Sequence, residues 1–230
     1  MRNVNLPKLS VFVSTTMTPL VCVIFLWIAG LVHAQSPSNC GPLENHFGPF
    51  DFRTANKQLL NLVEGPHFNP GVESLTKRST SYFADDISYT LRVFPNHHRA
   101  LITIQRLADR EMTDKPEHAQ YSIECYFDRA VRFQPSDQIV RMLFAGYLIK
   151  KNLLVNAEAQ LIEAIMLAPE NPFTQFNVGL LFLDMKNYER AVAQAHRAAD
   201  LGLARTELKE RLMAAGKWTE PTAPNGSPKP

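Results

Sequence analysis

The stretch FNVGLLFLDMKNYERAVAQA (residues 176–195) decides the fold. It places small residues at Gly179, Ala191 and Ala195 inside what otherwise reads as two amphipathic helices. Moved back until Gly179 falls on Ala145, the pattern lands on itself. Ala191 then falls on Ala157 and Ala198 on Ala164, while Val178 falls on Phe144, Phe182 on Leu148 and Ala195 on Leu161. A second step of the same size sets Pro169 on Pro135, Ala164 on Ala130 and Leu161 on Phe127. A period of this length, about 34 residues, is the mark of stacked helix-turn-helix units. The small residues let the two helices of one unit approach closely. The large apolar residues beside them fill the space to the next unit.

The middle unit carries FAGYL, then Ala157, Leu161, Ala164 and APEN; the last carries VGLLF, NYERA, Ala195, Ala198 and DLG. On these residues the chain, from about residue 121 to 203, resembles tetratricopeptide repeats. Upstream, QYSIECYFDRAVRFQP fits a second helix and HHRALITIQRLADRE a first helix, with several residues inserted around 113–118. The aromatic often found early in the first helix is Arg141 in one unit and Gln175 in the next, and Leu203 replaces the closing proline. The resemblance implies an all-α fold: an α-solenoid of about three units over residues 83–205. An extension of coil and short helices (35–82) precedes it, and a capping helix (206–218) closes it, as an open stack requires.

In this family the first helices line a concave groove. Spacing then turns Met142, Gly146, Ile149 and Lys150 toward it in one unit, and Phe176, Asn177, Leu180 and Asp184 in the next. Such a groove is apolar in its middle and suits a helix or extended peptide with apolar anchors. Some members grip C-terminal carboxylates with Lys, Arg and Asn; here Asn177 and Lys150 are the residues available for that mode. The alternative is a groove filled by the chain's own N-terminal coil.

The start of the chain differs in kind. Arg2 and Lys8 precede the nearly uncharged run VFVSTTMTPLVCVIFLWIAGLVHA (residues 11–34). A positive start, an apolar middle and a small-residue end are the layout of a signal peptide (1–34), cut after Ala34. The alternative is an uncleaved anchor, the one route by which the chain would touch a membrane. Both readings export the remainder, to the periplasm in a Gram-negative cell. No small apolar run precedes Cys22 or Cys40 in the way lipid attachment requires. Cleavage removes Cys22 and leaves Cys40 and Cys125, a pair that an oxidising compartment joins. Closing that loop removes roughly 4–5 kcal/mol of unfolded-chain entropy. There is no C-x-x-C to suggest a redox role.

The segment CGPLENHFGPFDFR (residues 40–53) reads as an ordered coil whose phenylalanines pack on the first repeats. A short helix is expected from Thr54, stopped by EGPHF, and another capped by Asn69-Pro70. Asp85-Asp86 marks a helix start, and Asn96 is the expected cap of the next helix. Leu208, Leu212 and Trp218 form a buried face near the end, and residues 219–230 read as a disordered tail.

Lys and Arg number 24 against 22 Asp and Glu, without the basic surplus that nucleic-acid binding requires. No G-x-S-x-G, phosphate loop or dinucleotide fingerprint occurs, so the sequence offers no enzyme and no cofactor. His97-His98 is the most metal-like feature, with His46, His67, Asp85 and Asp86 as companions. Neighbouring helical side chains point about 100° apart, which suits one ion poorly. The function read from the sequence is protein or peptide binding, as an adaptor or assembly factor at the envelope. The rival is an enzyme or metal-binding protein using His46, His67 and His97.

Overall fold

The computed structural model describes residues 40–220. The signal-peptide reading and residues 221–230 lie outside them. The described chain is all-helical: α1 (Lys57–His67), α2 (Pro70–Glu73), α3 (Phe83–Val93), α4 (His98–Glu111), α5 (Ile123–Phe133), α6 (Gln138–Lys150), α7 (Leu154–Leu167), α8 (Pro172–Asp184), α9 (Tyr188–Asp200) and α10 (Glu207–Ala214).

The repeat read from sequence is present as helix pairs. Moving α6 forward by one period gives the bounds of α8, and α7 falls on α9 within one residue. The turns repeat too. Asn152 and Lys186, one period apart, both take a left-handed conformation, and the residue after each donates to the carbonyl five residues back. Met112 makes the same turn after α4. There the chain detours through residues 113–122 before α5 begins, so the step from α4 to α6 is longer than the step from α6 to α8. Two helix starts are capped as their sequences direct: Asn171 accepts from Phe173 and Thr174 N–H, and Asp137 from Ile139 and Val140. Arg141 and Gln175 occupy equivalent positions on α6 and α8. Each donates to the carbonyl of its unit's proline, Pro135 and Pro169, and so ties the turn to the helix after it.

Ala145, Ala157, Ala164, Ala191 and Ala198 are buried with Val178, Leu148, Leu161 and Phe182 in one continuous core. At Gly179 a Cβ atom would stand 2.4 Å from Leu208 Cδ2 and 3.1 Å from Gln194 Cβ. At Gly146 the nearest atom, Leu181 Cδ2, would be 3.7 Å away. The two glycines therefore predict opposite outcomes. Gly146→Ala will be neutral or stabilising by up to about 1 kcal/mol through helix propensity. Gly179→Ala will destabilise by about 1–3 kcal/mol through overpacking, in spite of the same propensity gain. Urea unfolding of both variants checks this, and a Gly179→Ala protein at least as stable as wild type would refute the close approach of α8 to α9 and α10.

The N-terminal segment packs as a coil, but its details correct the sequence reading. Phe47, Phe50 and Phe52 gather around Val63 of α1 and Val93 and Phe94 at the end of α3. Cys40 is bridged to Cys125 on α5. α1 does not stop at Glu64-Gly65-Pro66. It runs through Pro66 to His67, because Phe68, 2 % exposed, is drawn into the core and its N–H closes the last turn on Glu64. α2, capped by Asn69 as expected, is a single turn ending at Glu73. α3 begins at Phe83, so Asp85 and Asp86 sit in its first turn. The cap of α4 is His97, whose ring accepts the Ala100 N–H, and not Asn96. Asn96 is buried and bridges instead, donating to Asp51 and Asp137 and accepting from Phe52 N–H. At the other end Leu208 and Leu212 are buried as expected. Thr219, expected to be disordered, accepts a hydrogen bond from His196, and Glu220 accepts one from Trp218.

Candidate functional site

One cleft of about 670 Å³ is formed along α4, α6 and α8. Its floor is apolar: Met142, Leu143, Gly146 and Ile149 of α6, with Leu180 and Leu181 of α8. Ile102 and Ile139 stand at its edge, both more than a third exposed. The amphipathic period explains the arrangement. Each of these helices buries one stripe against its partner and presents a second one, three or four residues away, to the cleft.

Four of the five charged side chains on the rim form two ion pairs, while the fifth, Arg106 of α4, is exposed and makes no ion pair among the described residues. Lys150 of α6 reaches Asp109 of α4 at 2.8 Å, and Arg211 of α10 reaches Asp184 of α8 at 2.9 Å. Both pairs are exposed and contribute little to stability. What they do is occupy the fixed charges at the edge of an apolar floor.

Of the eight residues placed at a groove by spacing, seven line this cleft: Met142, Gly146, Ile149, Lys150, Asn177, Leu180 and Asp184. Phe176 does not. It is 2 % exposed, and the guanidinium of Arg205 lies 5.1 Å above its ring. Phe176 occupies the position of Met142 one unit later, but the segment from Leu203 to Leu208 closes over it at the end of the stack. The first unit's share was missed altogether. Ile102, Arg106 and Asp109 line the cleft at the places on α4 that match Met142, Gly146 and Ile149 on α6. The regular repeat step passes over them; a step lengthened by the detour after Met112 finds them. Arg211, also missed, enters from α10.

Among the described residues the N-terminal coil contributes nothing to the lining. It is held elsewhere, by the disulfide and by Arg129. That side chain is 2 % exposed and donates to the carbonyls of Cys40, Gly41 and Pro42, with Tyr121 beneath its guanidinium. Burial pushes the Arg129 pKa down from its ordinary value, and the three carbonyls supply the partners that a buried cation needs.

The histidines are dispersed. His46 is exposed on the coil. His97 is fully buried, its ring tilted against Phe52, with Nε2 2.8 Å from Glu64. His98 lies 2.9 Å from Asp137. His67 lies tilted against Tyr89 and 3.3 Å from Asp86, whose other oxygen accepts the N–H groups of Ser79 and Thr80. Among the described residues no three His, Cys, Asp or Glu side chains are grouped as metal ligands. Each histidine–carboxylate pair joins one segment to another: α1 to α4, α1 to α3, and α4 to the start of α6.

No helix among the described residues is long and apolar enough to cross a membrane. The disulfide is compatible with an oxidising compartment. No family model matches the chain, and no curated protein matches it.

Proposed function

We propose that this chain is an exported tetratricopeptide-like solenoid whose cleft over α4, α6 and α8 binds an apolar segment of another protein, as an adaptor or assembly factor. The observation that carries this reading is the apolar floor of the cleft, flanked by two ion pairs that engage four of the five rim charges. A partner gains by covering Met142, Ile149 and Leu180, since burying apolar surface contributes about 25 cal/mol per Å². Of the charges around it, Lys150, Asp109, Arg211 and Asp184 are already engaged with one another in pairs. A short helix or extended strand with two or three large apolar side chains fits a cleft of this kind. The disulfide supports export, and the recurrence of helix bounds from one pair to the next supports the solenoid.

The test is selection of peptides on the purified protein, followed by titration at low and high salt. Selected peptides are expected to carry apolar anchors at helical or alternating spacing, and their affinity to change by less than about twofold with salt, because screening acts on charges. Leu180→Glu is expected to weaken them by roughly tenfold or more, by placing an unpaired carboxylate in a dry contact. Leu180 is half-buried, so circular dichroism must show the variant folded. Selection of acidic or C-terminal carboxylate peptides, with binding lost at high salt, would overturn the reading.

A further inference from the structure

The outer face of α7 stands apart from its counterparts in the neighbouring units. Opposite the buried Ala157, Leu161 and Ala164 run Val155, Ala159, Ile162 and Met166, four residues on one side of the helix. Val155 is 83 % exposed and Met166 is 67 % exposed. The equivalent positions one repeat earlier, on α5 and just before it, are Tyr121, Cys125, Asp128 and Arg132. There Cys125 is bridged to Cys40, and Arg132 donates to the Gly41 carbonyl, so the chain's own N-terminal coil lies over that face. On α9 they are Glu189, Ala193, His196 and Asp200. That face is polar, and Trp218 and Thr219 lie against His196. Of these three equivalent faces, the one that is apolar is the one that no described residue covers.

We infer that a second copy of this chain covers it, with two α7 helices packed antiparallel about a two-fold axis near Ala159. The stripe is self-complementary, as a two-fold interface requires. Its middle is the small Ala159, which lets the helix axes approach, with Val155 on one side and Ile162 and Met166 on the other. Along one edge lie Asn156 and Glu163, both exposed. Antiparallel pairing sets residues whose numbers sum to a constant opposite one another on the same edge. Centred at Ala159 and Gln160, it puts the amide of Asn156 across from the carboxylate of Glu163 of the second copy, and by symmetry does so twice. α7 is about 21 Å long. A helix face of that length with its shoulders buries on the order of 600 Å² per partner, the lower end of specific interfaces.

Sedimentation equilibrium of the whole exported protein tests this. Wild type is expected to be a dimer at micromolar concentration. Val155→Lys with Met166→Lys alters two exposed side chains, so circular dichroism melting should stay at the wild-type value, while dimerisation weakens by roughly 100-fold. A monomeric wild type overturns the inference, whether the stripe then serves another protein or another part of the chain. A wild-type dimer that the double variant leaves intact overturns it equally. Ala159→Cys gives an independent reading under mild oxidation. A disulfide linking two copies is expected, and its absence counts against the two-fold α7 contact even if the lysine variant fails to fold.

Discussion

Replacing Cys40 and Cys125 with Ser is expected to lower the stability of the protein by about 4–5 kcal/mol, because an 85-residue separation is no longer closed in the unfolded chain. This is comparable to the whole stability of many domains, which is about 5–15 kcal/mol. The folded state keeps other holds on the coil. Arg129 still reaches the carbonyls of residues 40–42, and Phe50 and Phe52 still pack on Phe94. The effect therefore acts mainly through the unfolded ensemble and should appear as a lower urea midpoint with a somewhat steeper slope, because the unlinked chain exposes more surface on unfolding. Urea unfolding of the double variant beside oxidised wild type measures it. Equal midpoints would mean that the bridge contributes no loop-closure constraint.

Acid is expected to destabilise the protein well before its carboxylates titrate, and His97 is the reason. Burial pushes its pKa down to about 4, against the upward pull of Glu64. An unfolded histidine takes up a proton near pH 6.5. Between these values the unfolded state binds more protons than the folded state, so stability falls as pH falls. The loss is about 2 kcal/mol by pH 5 and about 3 kcal/mol once pH is below the folded value. Further down, two carboxylates add to it. Asp51 is held well below the usual carboxylate range by hydrogen bonding from Arg53, against its partial burial and with help from Asn96. Asp137 is held low as well: burial works to raise its pKa, and hydrogen bonds and charge from His98, with Asn96, more than offset that. A carboxylate with a lowered pKa stabilises above its unfolded pKa, and that stability is lost as pH falls through the folded one. His97→Asn keeps an oxygen to cap α4 but removes the titrating ring. It should be less stable than wild type at neutral pH and nearly flat from pH 7 to 5. Urea unfolding across that range decides the matter, and a wild type that is equally flat would show that His97 is not the source.

These two effects fall on either side of what the sequence makes legible. The cysteine pair could be read because, on the signal-peptide reading, two thiols remain and have one way to join within the chain. His97 could not. The same dipeptide that looked like a metal motif is split by the fold: His97 becomes a buried cap and His98 a half-buried helix start bonded to Asp137. Asn96, a good cap by composition, is drawn away because Asp51, from a coil 45 residues upstream, lies 2.7 Å from its amide. Local propensity decides a cap only when no distant partner competes for the side chain.

By itself, the sequence determined whatever depends on a period. The recurrence of helix bounds from α6 and α7 to α8 and α9, the positions of Ala157, Ala164, Ala191 and Ala198, and seven of the eight residues placed at a groove by spacing all follow from the repeat spacing and the turn of an α-helix, which act over short range. Tertiary structure alone decided what happens where the period ends. Phe176 holds a cleft position by number but is sealed by the segment from Leu203 to Leu208, because the last unit has a cap rather than another unit beside it. α1 continues through Pro66 because burying Phe68 outweighs the helix-breaking residue. The coil crosses the outer face of α5 and not the cleft, because Arg129 and Cys125 hold it there. Each of these turns on contacts between residues far apart in the chain, and a repeat pattern carries no information about them.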